Sequence, residues 1–212
     1  MISTIHVLSG ARCFNNRLPN NTVILHGSNS LHDSREYTIE WWITFNEWSF
    51  YTNRPLEHND NDISVTKLTH EIQGNFPTAS LSLFSYDDLV EQHIELAGWG
   101  LNNQGELSSN MLTATAIIVS HTACEYHIHR VSGERISIRE GYFCTAGVPF
   151  VSMQYGDFGG PVLHFHKIIG INKGTLPKGL QEFDNHKINI HTSINYYTSF
   201  IADVISDNFF WQ

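Results

Sequence analysis

Apolar and polar positions follow one another in short runs along most of the chain, and sustained helical spacing emerges only near its end. Residues 1–14 form an apolar, strand-like run that closes on a Gly10-Ala11 turn. Residues 22–25, 37–45 and 48–51 are further β-rich runs, separated by Asn, Ser, His and Asp clusters of turn-forming type. Between residues 73 and 92 the periodicity fades and Pro77 interrupts it, which predicts a connection between two β units. Residues 112–119 are apolar and β-branched, as in a buried strand, and residues 162–171 predict two short strands about a His164-Phe165-His166-Lys167 turn. Tyr197, Phe200, Ile201, Val204 and Ile205 have helical spacing within 196–206. Short strands at this spacing predict a barrel or sandwich, and no internal repeat or low-complexity segment interrupts them.

Composition narrows the field. At 212 residues with 41% hydrophobic and 12% aromatic content, the chain can bury a sizeable core and lacks the signature of disorder. A net charge of −9, with no basic patch visible along the sequence, predicts that neither nucleic acid nor an anionic membrane is a partner. No apolar run reaches the roughly 18 residues needed to span a bilayer, and the first residues lack the basic and apolar regions of a signal peptide. Asn20-Asn21-Thr22 is a glycosylation sequon, meaningful only in a secreted protein. Three cysteines without paired Cys/His spacing predict no structural zinc site and leave at least one thiol unpaired. Among the 13 histidines, His127/His129 and His164/His166 have the spacing that puts two side chains on one strand face, but no third ligand is identifiable, so neither metal nor cofactor is predicted.

The informative stretch is Tyr155-Gly156-Asp157-Phe158-Gly159-Gly160-Pro161. It resembles the Gly-Asp-Ser-Gly-Gly-Pro loop of the trypsin/chymotrypsin-like serine proteases, with Phe158 in the place of the nucleophilic serine. Asn61-Asp62-Ile63-Ser64-Val65 is similar to that family's Asn-Asp-Ile segment, Gly98-Trp99-Gly100 to its Gly-Trp-Gly, and Gly141-Tyr142-Phe143-Cys144-Thr145-Ala146-Gly147 to its Met-Phe-Cys-Ala-Gly strand. The matches occur in the family's order from near residue 1 to about residue 206.

The resemblance implies an all-β fold of two antiparallel β-barrels of the trypsin-like type, the first incomplete, with a short intermediate helix and a C-terminal helix. The implied boundaries are 1–75 for the first barrel, lacking its N-terminal strands, 76–91 for a connecting segment, 92–195 for the second barrel and 196–212 for the C-terminal helix and tail. It also implies a degenerate triad: Arg12 at the histidine position, Asp62 at the aspartate position and Phe158 at the serine position. Phe158 has no nucleophilic atom, and a guanidinium with a pKa above about 12 cannot act as a base. Gly156 and Phe158 would keep the backbone N–H pair of an oxyanion hole.

By the same likeness, Ser152 falls at the floor and Asn189 on the wall of a former specificity pocket. Gln154 replaces half of the disulfide that braces it, Ile94 and His164 stand where another disulfide would be, and Asn189 adds bulk that obstructs the pocket. Cys124 and Cys144 are the implied disulfide, while Cys13 is read as a free thiol and a small buried hydrophobe. Asp157 lacks the terminal ammonium that family members bury against it, so it is expected to be exposed, hydrogen-bonded to a substitute, or protonated. Arg12 and Asp62 are expected to form an ion pair.

For function, the resemblance points to a non-catalytic, extracellular homologue that binds a protein partner as a decoy, inhibitor or cofactor in a proteolytic cascade. The alternatives are a truncated fragment without independent function and an enzyme with a relocated mechanism.

Overall fold

Eight residues dominated by β-branched side chains, Leu112–Val119, form a single extended strand that is paired antiparallel on both sides. The computed structural model describes residues 1–206 except Asn75, Leu83, Val148 and Glu182; the expected tail at 207–212 lies outside the described residues. Strands β1 (His6–Ser9), β2 (Val23–His26), β3 (Arg35–Thr44) and β4 (Ser64–Leu68) pair as an open sheet in the order β1-β4-β3-β2. Strands β5 (His93–Gly98), β6 (Leu112–Val119), β7 (Tyr142–Ala146), β8 (Pro161–His164), β9 (Lys167–Leu176) and β10 (Ile188–Ser193) close into an antiparallel barrel in the order β10-β7-β6-β5-β8-β9. The all-β, two-unit architecture implied by the resemblance is therefore present, its first unit a half-barrel sheet.

Ile94, Leu96, Ile118, Phe143 and Val162 fill the closed barrel. A second core joins the units: Ile43, Trp48 and Val65 from the open sheet side meet Ile168 and Ile171 of the barrel, and Phe200, Ile201 and Val204 of helix α4 (Thr198–Ile205) complete it. Removing the α4 face from water holds the two units together. Among the described residues no helix is long and apolar enough to cross a membrane.

Three local expectations fail. Residues 48–51 are helical, within α1 (Phe45–Tyr51), although their aromatic content favours a strand. The reason is the Thr44-x-x-Glu47 capping box: Glu47 N donates to Thr44 Oγ1 at 3.3 Å and Thr44 N donates to Glu47 Oε2 at 2.8 Å. The intermediate helix α3 runs over His121–Ser132, capped by Ser120 and ended by left-handed Gly133. His127 and His129 are therefore helical and do not share a strand face. Their rings bond separately, to the carbonyls of His186 at 2.7 Å and Gly133 at 3.2 Å. Phe165 and His166 take positive φ in the β8–β9 turn, so His166 does not continue the strand that carries buried His164.

Candidate functional site

Residues 12, 62 and 158 are brought together by two close backbone approaches. Strand β1 passes through Gly10 into a short 3-10 turn, Ala11–Phe14, which presents Arg12; Asp62 lies just before β4. A Cβ at Gly10 would stand 3.1 Å from Asp62 Oδ1 and 3.4 Å from Gly159 Cα. Gly159 has φ +85°, and a Cβ there would lie 2.5 Å from Ser9 Oγ and 2.6 Å from Cys13 Sγ. Only glycine lets the loop before β8 lie against the β1 turn.

The expected ion pair is present. Arg12 Nε contacts Asp62 Oδ2, and the Arg12 backbone N donates to Asp62 Oδ1 at 2.9 Å, so one residue occupies both carboxylate oxygens. The Asp62 side chain is 6% exposed against 39% for Arg12. The guanidinium carbon then sits 5.4 Å from the centroid of the Phe158 ring. At this meeting point the three side chains are a cation, its carboxylate and a hydrocarbon ring.

Cys13 is free, and its residue is exposed rather than buried as expected. Its sulfur nonetheless points inward, 3.6 Å from Ser9 Oγ and 3.5 Å from the Phe158 carbonyl. Desolvation pushes the thiol pKa up, which disfavours a thiolate nucleophile. Cys124 and Cys144 form a disulfide that ties α3 to β7.

The other side of the loop is occupied by Asp157. Its Oδ1 accepts from Gly100 N at 2.8 Å and its Oδ2 accepts from Gln154 N at 2.9 Å, so backbone amides serve as the substitute partner. A Cβ at Gly98 would be 2.2 Å from Asp157 Oδ1, and one at Gly100 2.5 Å from it. The Gly98-Trp99-Gly100 motif and the loop are thus one construction, which the sequence displays as two separate motifs. Among the described residues no hydrogen bond uses the amides of Gly156 or Phe158, whereas those of Asp157, Gly159 and Gly160 are bonded to Gln154, Asn172 and Asp157.

Asn189 is fully buried, and its side-chain amide clips the 151–153 segment: Oδ1 accepts from Met153 N at 2.8 Å and Nδ2 donates to Val151 O at 3.0 Å. Ser152 Oγ accepts from Gln154 Nε2 at 3.1 Å. Ser152 borders a cavity of about 410 Å³ with Phe150, Leu101 and Asp157, and Asn189 is not part of its wall. The two residues assigned to one pocket are therefore near in space but do not face a common open space.

Beside them His191, fully buried on β10, was missed by the sequence reading. Its Nε2 lies 2.8 Å from Thr145 Oγ1 and its Nδ1 3.2 Å from Asn172 Oδ1, with Phe143 tilted against the ring at 5.0 Å. Burial lowers its pKa from 6.5 to about 3, so it stays neutral near neutral pH. No motif announces it; only its place in a β10 strand with few exposed positions could have.

A cleft of about 470 Å³ opens over Arg12 and Phe158. Arg139, Lys173, Lys178 and Lys187 also line it, with Asp60 as its acid. No basic patch is visible along the sequence; the fold builds one from residues scattered between positions 12 and 187. Arg139 Nη1 contacts Asp60 Oδ1 at 2.7 Å, His58 Nδ1 lies 2.6 Å from the same oxygen, and Lys173 Nζ donates to the Asp60 carbonyl at 2.6 Å. Burial opposes the charge of Asp60, but Lys173, His58 and Arg139 together outweigh it and hold the carboxyl below its usual range. Desolvation lowers Lys173 to about 8 despite the nearby carboxylates.

The Trypsin family model matches residues 1–201. Chymotrypsin-C of Mus musculus is 25% identical over 174 residues, which is 76% of this chain but only 59% of that protein. Among solved structures, the scabies mite inactivated protease paralogue S-D1 superposes with a TM-score of 0.80 at 18% identity, covering 100% of this chain and 88% of that one. Neuropsin, a serine protease expressed in the limbic system of mouse brain, gives 0.77 at 21% identity, covering 97% and 86% of the respective chains. At such identities these two structures bear on the fold alone.

Proposed function

The chain belongs to the trypsin family, and on that premise we propose that it is a non-catalytic member that acts by binding protein, as a decoy, inhibitor or cofactor in an extracellular proteolytic cascade. The observation that carries this reading is the Arg12–Asp62 pair seated over the Phe158 ring. Acyl transfer needs a hydroxyl or thiol to attack, a neutral base to take its proton and a group to orient the base. Here the attacking atom is missing at 158, the residue at 12 stays protonated, and Asp62 is engaged by that cation.

The unbonded amides of Gly156 and Phe158 could still polarise a carbonyl. In a related protease, loss of the triad leaves about 10³ to 10⁴ over water, which for peptide hydrolysis is negligible in practice. A fold neighbour described as an inactivated protease paralogue is in keeping with the reading, and the Cys124–Cys144 disulfide agrees with an oxidising, extracellular setting. A serine-reactive fluorophosphonate, with active trypsin as positive control, tests the loss of catalysis. The folded chain is expected to remain unlabelled, and stoichiometric labelling would remove the proposal.

A further inference from the structure

Five of the chain's 12 Lys and Arg residues line the single cleft over Phe158, on a molecule whose net charge is −9. Three of the five are already engaged: Arg12 with Asp62, and Arg139 and Lys173 with Asp60. Lys178 and Lys187, between β9 and β10 and just before β10, make no ion pair with the described residues. An anionic ligand repelled by most of this surface would meet its attractive potential here, at the mouth of a concave, low-dielectric site.

The cations are interleaved with Ile136, Leu176 and Ile190, so the walls offer apolar contact between charges. Strand β8 accompanies β9 only as far as Ile171, so from Gly174 to Leu176 the β9 backbone is paired, among the described residues, with β10 alone. An open strand side beside apolar walls suits an extended peptide better than a uniformly charged polymer.

Building on the binding role above, we propose that the cleft receives an extended, acidic segment of the partner protein, whose carboxylates are read by Lys178 and Lys187 at the rim. Lys173 and Arg139 line the same cleft, each paired with Asp60. The selectivity belongs to this chain's own lysines and not to the emptied nucleophile position.

The test is fluorescence anisotropy of the full chain with a labelled peptide of alternating Glu and Ala, beside its Gln/Ala counterpart. The Glu peptide should bind at about 50 mM salt and lose roughly tenfold in affinity at about 300 mM, as screened contacts do. The Gln peptide should bind at least about tenfold more weakly, and the Lys178→Glu/Lys187→Glu double variant should lose the preference while unfolding at the wild-type temperature. Equal binding of the two peptides, no binding of the acidic one, or an unchanged preference in the double variant would overturn the proposal. So would tighter binding of a heparin fragment or an oligonucleotide of equal charge, which would identify a different class of occupant. Mass spectrometry of the recovered peptide separates this inference from the one beneath it. Cleavage would remove the non-catalytic reading, whereas an intact peptide without charge preference would remove only the acidic-segment proposal.

Discussion

On its Asp157 side, the loop from Tyr155 to Pro161 is held by contacts that only a carboxylate and glycines can make; on its Phe158 side the contacts of residue 158 itself run through the side chains of Arg12, Asp62 and Phe158. Asp157 ties Gly100 and Gln154 by their backbone amides, with Gly98 and Gly100 too close to admit a Cβ. Across the loop, Arg12, Asp62 and Phe158 meet through a charge pair and a ring face that other side chains could replace without moving the backbone. A backbone approach admits few alternatives, whereas a group needed only for bond making can be substituted while the fold persists. The first side fixes the scaffold, and the second decides what the loop can do chemically.

If backbone approaches to the loop outweigh the side chains at 12, 62 and 158, Gly159→Ala should be the most damaging single change, costing about 3 kcal/mol or more, because φ +85° and two contacts below 2.7 Å act together. Urea unfolding beside Gly105→Ala provides the control, since Gly105 has φ +77° with open space around it and should lose only about 1 kcal/mol. Equal losses would show that the close approach at Gly159 does not matter. Asp157→Ala should cost about 2 kcal/mol, read from the same unfolding curves, by leaving the Gly100 and Gln154 amides unpaired.

The buried ring of His191 gives a pH-dependent version of the same contrast. Its folded pKa of about 3 lies below the ordinary 6.5, so between those values the unfolded chain holds a proton that the folded chain does not. Stability should therefore fall as pH drops through that window, by about 2 kcal/mol from roughly pH 7 to pH 5. Unfolding at both pH values should show that excess slope in the wild type and its absence in His191→Gln; identical slopes would mean that the ring is not the source. The smallest effect is expected on the Phe158 side: Arg12→Ala should cost about 1 kcal/mol, because the pair is part-exposed and Asp62 keeps the backbone N–H of residue 12. A loss as large as that of Asp157→Ala would erase the distinction between the two sides.

What could be read in the chain beforehand follows the same line. The glycine-bearing motifs at 98–100 and 156–160 were visible because backbone constraints leave a residue signature, and the α4 face was visible because its period is regular. The helix over Phe45–Tyr51 was misread because aromatic β propensity was weighed without the Thr44–Glu47 box. His127 and His129 were misplaced because their spacing was given a strand period inside what is helix α3. The cationic cleft and the His191–Thr145–Asn172 cluster had no signature at all, since their members lie on separate segments that only the barrel brings into contact.

We propose that Arg12 and Phe158 each block triad chemistry, for independent reasons. Turnover of a fluorogenic peptide library by a folded Phe158→Ser variant tests this most directly. Because protonated Arg12 cannot accept the restored hydroxyl's proton, the variant should cleave no faster than the wild-type chain. Triad-type hydrolysis by that single mutant, abolished by a serine-reactive phosphonate, would contradict the account.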